Sequence, residues 1–144
     1  MIIMSYKITG SGCYVPTVVQ KNNAFLGLSF LDNHGTKFNE NNEAIIDKFN
    51  SITGIEERKY INSELKTSDI AHIAAQKAIE DANVDPETID YIIVAHNFGD
   101  ISGDSKQIDT LPSLASRVKA KLKIKNPKCV AYDILFGCPG WVEA

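Results

Sequence analysis

Two continuous apolar runs constrain this chain most. Residues 89–95, Ile-Asp-Tyr-Ile-Ile-Val-Ala, and residues 129–134, Cys-Val-Ala-Tyr-Asp-Ile, are short and rich in β-branched and aromatic side chains. A strand with one solvated face alternates apolar and polar residues, whereas these runs are apolar at successive positions. That pattern belongs to strands covered on both faces, as in a parallel sheet. Parallel strands need a long crossover between them. The intervening chain supplies one: residues 112–122 place Leu114, Ala115, Val118 and Leu122 on one helical face, and Asn126-Pro127 ends the pattern.

A second helix precedes the first run. Thr67-Ser68-Asp69 opens it, with Thr67 or Ser68 as the expected N-cap and Asp69 near the positive end. Ile70, Ala71, Ala74, Ala75, Ala78, Ile79 and Ala82 form one stripe. A stripe made mostly of alanine lets another element approach closely. His72 falls off it and reads as a solvated or capping histidine. Asn83-Val84-Asp85-Pro86 closes the helix.

Upstream, residues 7–16 read as a short strand entering a Gly/Pro turn, with Gly10 and Gly12 in a tight turn rather than a phosphate loop. Residues 22–50 are polar and rich in Asn. Short helical pieces are expected around Ala24, Phe25 and Leu28 and over 44–49, with Ile45, Ile46 and Phe49 inward; Asn33-His34-Gly35 is a turn. Residues 98–109 read as a loop. The order strand, irregular segment, helix, strand, helix, strand, helix start predicts an α/β fold with a mostly parallel sheet. A length of 144 residues suits one domain.

A net charge of −3 gives no general nucleic-acid footprint. No apolar run approaches the ~18 residues of a membrane span, and no secretory leader is evident, so the cytoplasm is the expected location. Cys13, Cys129 and Cys138 are an odd number at unrelated spacings, without CxxC, which argues against a disulfide framework. His34, His72 and His96 form no ligand pattern, so no metal site is expected. The run 119–125, Lys-Ala-Lys-Leu-Lys-Ile-Lys, reads as a solvated helix end; the functional alternative is docking of an acidic carrier protein.

The chemistry concentrates at Cys138. It follows a buried strand and Gly137, at the expected start of a helix, where free N–H groups and the helix dipole favour a thiolate. Pro139 suits a first helical turn, and Gly137 and Gly140 would let the backbone approach a substrate. The strand–turn–helix context parallels the nucleophile elbow of hydrolases. The plain alternative is a small inert cysteine beside a turn.

The segment Tyr132-Asp133-Ile134-Leu135-Phe136-Gly137-Cys138-Pro139-Gly140-Trp141 resembles the active-site segment of the ketoacyl-acyl carrier protein synthase III family. Ile8-Thr9-Gly10-Ser11-Gly12-Cys13-Tyr14-Val15-Pro16 is similar to the family's first strand and turn, and Thr53-Gly54-Ile55-Glu56-Glu57-Arg58 to its Thr-Gly-Ile-x-x-Arg loop. The helix opened by Thr67-Ser68-Asp69 and the strand at 89–95 follow in register. The resemblance implies the N-terminal half of a thiolase-like fold over 1–144, ending just after the nucleophile elbow. It implies a 3-oxoacyl-acyl carrier protein synthase III-like acyltransferase of fatty acid or polyketide-like synthesis. Cys138 would accept an acyl group and condense it with a decarboxylated malonyl unit, with its own backbone N–H in the oxyanion hole. Leu111 would stand in the acyl-pocket and dimer loop, and Thr53, Gly54, Ile55 and Arg58 in the substrate-entrance loop. The partners implied are an acyl carrier protein or acyl-coenzyme A, a malonyl thioester and a second copy of the chain, with no resident cofactor.

The chain departs from that family in several ways. Members are longer and carry a catalytic His and Asn in their second half, so this chain alone is expected to be catalytically incomplete. Lys48 and Ile52 stand where coenzyme A users carry Trp and Arg, which favours a carrier-protein donor or a different primer. Leu111 replaces an aromatic, which implies a longer acyl pocket, and Pro139 and Trp141 replace more usual residues. Two other readings stay open: a non-catalytic thiolase-fold partner subunit, and a thiolase-like or hydroxymethylglutaryl synthase-like enzyme.

Overall fold

The computed structural model describes residues 6–101 and 107–144. They divide into two compact units. One holds the segment ending at Tyr14 together with Ser63–Ala144; the other holds Val15–Asn62.

The first unit is built on a parallel strand pair. β3, Tyr91–His96, pairs with β6, Val130–Leu135, in the register Tyr91↔Val130 to His96↔Leu135. Both apolar runs are therefore strands, each displaced by one or two residues from its expected position. Ile89 instead closes the 3-10 turn Pro86–Thr88 by donating its N–H to the Pro86 carbonyl. Between the two strands runs α3, Leu114–Lys121, which packs on both. Leu114, Ala115 and Val118 are buried as expected and form most of the core with Ile124 and Cys129. In β3 the successive residues Ile92 to Ala95 are half-buried on both faces, but in β6 Val130 and Tyr132 alternate onto a face that leaves them 47 % and 42 % exposed, because α3 covers only the other.

α2, Thr67–Ala82, packs against α3. Neither Thr67 nor Ser68 caps it. The N-cap is Lys66, whose N–H donates to Asp69 Oδ2 at 2.8 Å, while Ser68 turns its hydroxyl to Asp100. The alanine stripe meets the segment around Gly10 and Gly12. A Cβ on Gly10 would lie 2.5 Å from the Ala78 carbonyl oxygen, and one on Gly12 would collide with the Ala74 carbonyl. Residues 7–16 are irregular rather than a strand, and these glycines are required by that close approach rather than by a turn. The expected loop at 98–109 contains two short antiparallel strands, β4, Asp100–Ile101, and β5, Ile108–Asp109. The rest of that expectation, 102–106, lies outside the described residues.

The second unit pairs β1, Val18–Lys21, antiparallel to β2, Glu57–Tyr60. A 3-10 turn spans Asn22–Phe25, and α1 spans Asn42–Thr53. The helix is longer than the expected piece at 44–49 because both ends are capped. Asn41 Oδ1 accepts from the Ala44 N–H at 2.8 Å, and Gly54 adopts the left-handed conformation at φ 65°. Ile46 is its buried residue; Phe49, expected inside, is 44 % exposed and meets Phe30 edge-on. The turn at Asn33-His34-Gly35 forms, with Asp32 Oδ1 accepting from the His34 and Thr36 N–H groups.

Candidate active site

β6 carries the chain to the C-terminal edge of the parallel pair, the edge from which α/β sheets present ligand sites. The Phe136 N–H still donates to the His96 carbonyl at 3.3 Å, so the last rung joins the two strand ends. Beyond it, the Gly140 N–H donates to the Gly137 carbonyl at 2.8 Å and closes a tight turn over Cys138 and Pro139. Cys138 is exposed on that turn. The helix that follows, α4, is Gly140–Glu143 with Pro139 as its N-cap, so Cys138 precedes the helix instead of opening it. The two glycines divide the expected role. Gly137 faces open space, while Gly140 is buried with a hypothetical Cβ 3.2 Å from that of Ala95. Gly140 thus serves the packing of the turn on β3.

Beneath this turn lies a polar cluster that the sequence reading missed. The Asp133 carboxylate accepts the N–H groups of Leu114 at 2.7 Å and Ala115 at 2.8 Å, and bonds His96 Nε2 at 2.9 Å. The Gly99 N–H donates to His96 Nδ1 at 2.9 Å, so the imidazole carries its proton on Nε2 and donates to Asp133. Both side chains are buried, at 5 % and 7 % exposure. Burial alone would raise the Asp133 carboxyl, but the N–H groups of Ala115, His96 and Leu114 together hold it below the ordinary aspartate value. A carboxylate beside a histidine suggests a base for Cys138. The geometry excludes that role for His96 as it stands, because the only unprotonated ring nitrogen is already occupied by Gly99. The available signal was Asp133 itself, the one charged residue inside the run 129–134.

Leu111 lies in the same unit as Cys138, on the segment entering α3, and is 84 % exposed. Arg117 holds this segment: its Nε donates to the Pro112 carbonyl at 2.9 Å and its Nη2 to the Leu111 carbonyl at 3.0 Å. The same guanidinium pairs with Asp100 at 2.9 Å and Asp109 at 2.7 Å. Asp100, in turn, accepts the Ser68 N–H and hydroxyl, both at 2.7 Å.

Thr53, Gly54, Ile55 and Arg58 lie in the second unit. Thr53 ends α1, and its hydroxyl accepts the Ile55 N–H at 3.2 Å, which shapes the turn around Gly54. Arg58 is on β2 rather than in a loop. Its Nη1 donates to Asn22 Oδ1 at 2.8 Å, and its guanidinium lies 5.3 Å from the centre of the Phe25 ring. Of the four, only Arg58 lines a cavity of about 190 Å³, with Asn22, Phe25, Phe30, Ile46 and Phe49.

The basic run is exposed at Lys121, Lys123 and Lys125, as a solvated helix end should be, but two of its lysines are also engaged within the unit. Lys119 Nζ donates to the carbonyls of Asn126 at 2.9 Å and Cys129 at 2.7 Å, and Lys121 pairs with Asp69 at 2.7 Å. Lys119 is a half-buried fastener, whereas the Lys121 pair lies at the surface. Among the described residues, no three His, Cys, Asp or Glu side chains are grouped to hold a metal ion, and no helix is long and apolar enough to cross a membrane.

No family model matches the chain. It is 34 % identical over 141 residues to a beta-ketoacyl-[acyl-carrier-protein] synthase III of Vibrio vulnificus, covering 98 % of this chain and 37 % of that one. It is 40 % identical over 90 residues to the synthase III of Helicobacter pylori, covering 62 % of this chain and 24 % of the relative. The crystal structure of the Aquifex aeolicus 3-oxoacyl-[acyl-carrier-protein] synthase III superposes with a TM-score of 0.69 at 29 % identity, over 96 % of this chain and 37 % of that one. The chain thus spans little more than a third of the length of the relatives it matches. By sequence and by structure it is similar to about a third of a beta-ketoacyl-[acyl-carrier-protein] synthase III, and it has the thiolase-like α/β fold of the part it matches.

Proposed function

We propose that this segment, as the N-terminal half-domain over 1–144, supplies the nucleophile of a condensing acyltransferase in fatty acid or polyketide-like synthesis. The observation that carries the reading is the exposed thiol of Cys138, held on a tight turn at the C-terminal edge of β3 and β6. The Cys138 thiolate attacks the carbonyl carbon of an acyl thioester. A carbon–sulfur bond forms and the donor's thiolate leaves, giving an acyl-cysteine. A malonyl thioester then loses carbon dioxide, and its C2 attacks the acyl carbonyl, releasing Cys138 and a 3-ketoacyl thioester. Splitting the reaction into two displacements lowers each barrier. The Cys138 backbone N–H contributes to the oxyanion hole, whose donors are each worth ~3 kcal/mol at the transition state. His96 takes no proton in this scheme, because both ring nitrogens are engaged; the base comes from elsewhere in the protein.

In the same reading, Leu111 lies in the acyl-pocket and dimer loop of a cytoplasmic homodimer. Thr53, Gly54 and Ile55 form the substrate-entrance loop, and Arg58 supports it through Asn22 and Phe25. The acyl donor is a carrier-protein thioester or acyl-coenzyme A. The test is mass spectrometry of the full gene product after incubation with acyl thioesters. Acyl adducts are expected on the peptide containing Cys138 and are absent in Cys138→Ala; unchanged loading of that variant refutes the assignment.

A further inference from the structure

The geometry points to His96 and Asp133 as positioning residues for Cys138, acting through a neutral imidazole that fixes the nucleophile turn without exchanging a proton. This rests on the reading of Cys138 as the acyl acceptor. The pair sits where the turn is anchored. Asp133 is on β6, five residues before Cys138, and His96 is the last residue of β3. The His96 carbonyl accepts the N–H of Phe136, the residue just before the turn, and the neighbouring Ala95 supports Gly140, which closes it. The His96 side chain then bonds Asp133, so backbone and side chain of one residue grip β6 on both sides of Leu135.

The grip extends to two further elements. Asp133 carries the first two N–H groups of α3, and His96 Nδ1 holds the Gly99 N–H at the bend after β3. Every polar atom of the cluster is matched: three N–H donors for the carboxylate, one donor and one acceptor for the imidazole. Among the described residues, no buried side-chain nitrogen or oxygen lacks a partner. Fully satisfied buried networks rigidify their surroundings, and a thioester needs its attacking sulfur placed to within a fraction of an ångström. A neutral donor–acceptor side chain does this work. Glutamine can replace the Nε2–H donor of histidine without being able to titrate, and leucine keeps the bulk with neither donor nor acceptor.

The test uses the full gene product as wild type, His96→Leu, His96→Gln and Asp133→Asn, with two readouts. The first is the rate of acyl loading on Cys138 from an acyl thioester. The second is the ratio of iodoacetamide labelling rates at Cys138 and Cys13, both exposed, with buried Cys129 reporting on general loosening. We expect His96→Leu and Asp133→Asn to lose loading at least tenfold and to change the labelling ratio at least threefold, with Cys129 still protected. His96→Gln should stay within threefold of wild type on both. Loading in His96→Leu equal to wild type overturns the proposal. So does His96→Gln as defective as His96→Leu, which would mean the imidazole proton is used. Cys129 labelled as fast as Cys13 in every defective variant also overturns it, since the role is then general stability. If the wild type itself does not load, the acyl-acceptor reading fails; the pair is then judged on the labelling ratio alone, and an unchanged ratio in His96→Leu overturns it.

Discussion

Gly10 lies so close to Ala82 that a methyl group on the glycine would sit 2.7 Å from the alanine's own Cβ and 2.6 Å from its backbone nitrogen. Gly12 makes the same approach one turn back, against Ala74 and Ala78. The obstacle in both cases is helix backbone, which cannot swing aside as a flexible side chain could. Gly10→Ala and Gly12→Ala are therefore each expected to destabilise the fold by ~2 kcal/mol through overpacking. Gly137→Ala, where the Cβ enters open space, should cost less than about 1 kcal/mol. Urea denaturation of the three variants checks the ranking, and equal midpoints would contradict it.

Ser68, Asp100, Arg117 and Asp109 form a chain of charge-assisted bonds that ties the start of α2 to the segment bearing Leu111. Asp100 is 2 % exposed and holds the Ser68 N–H, the Ser68 hydroxyl and one arm of Arg117. Removing its carboxylate leaves Arg117 Nη1 and the two Ser68 donors without their acceptor, although Asp109 still pairs with the guanidinium. Asp100→Ala is expected to cost ~3–5 kcal/mol, as for other broken buried pairs. Asp109→Ala, at the exposed end of the same guanidinium, should cost far less, because solvent screens that pair. Chemical denaturation measures both, and a cost for Asp109→Ala equal to that of Asp100→Ala would show that burial does not decide the matter.

The pH dependence follows from the carboxylates held low. Asp133 is lowered despite its burial, by the N–H groups of Ala115, His96 and Leu114. Asp69 is lowered mainly by its hydrogen bond with Lys121. A group whose folded pKa lies below its unfolded value adds stability that is fully present above the unfolded value, ~3.9 for aspartate. That stability disappears as pH falls through the folded value. Unfolding free energy should thus be insensitive to these groups near neutrality and decline below pH ~4. Asp133→Asn should flatten that decline, since it removes a contributing proton site. Denaturation midpoints at a series of acidic pH values check this; an unaltered slope in Asp133→Asn would sink the assignment.

What could be read from the sequence followed the range of the interaction concerned. The strands of the parallel pair and the buried face of α3 were legible, because runs and periodicities are local. Strand ends were not, since the pairing of Tyr91 with Val130 and the 3-10 turn at Pro86 set where each ladder begins. The cap of α2 was misassigned for the same reason. Ser68 is a good capping residue, but its hydroxyl is taken by Asp100, 32 residues away, and the helix starts on Lys66, whose side chain gives no capping signal. The tight turn that carries Cys138 was legible from its strand, glycines and proline. The cluster of His96, Asp133 and Gly99 was not, because it depends on which strand lies beside β6.

Lys119 provides the last contrast. In sequence it is one of four alternating lysines, and nothing separates it from Lys123 or Lys125. In the fold its ammonium reaches back to the carbonyls of Asn126 and Cys129, closing the connection between α3 and β6. Those carbonyls lose an ionic donor in Lys119→Met, which keeps the apolar stem. The expected cost is ~1–2 kcal/mol, as for a hydrogen bond to a charged group. Lys123→Met and Lys125→Met remove exposed side chains and should stay within ~0.5 kcal/mol of the parent. Guanidinium denaturation separates the cases in one experiment. If all three variants shift alike, Lys119 is an ordinary surface lysine. A shift confined to Lys119 identifies it as a structural fastener, and any carrier-protein surface on this run must then be sought at Lys123 and Lys125.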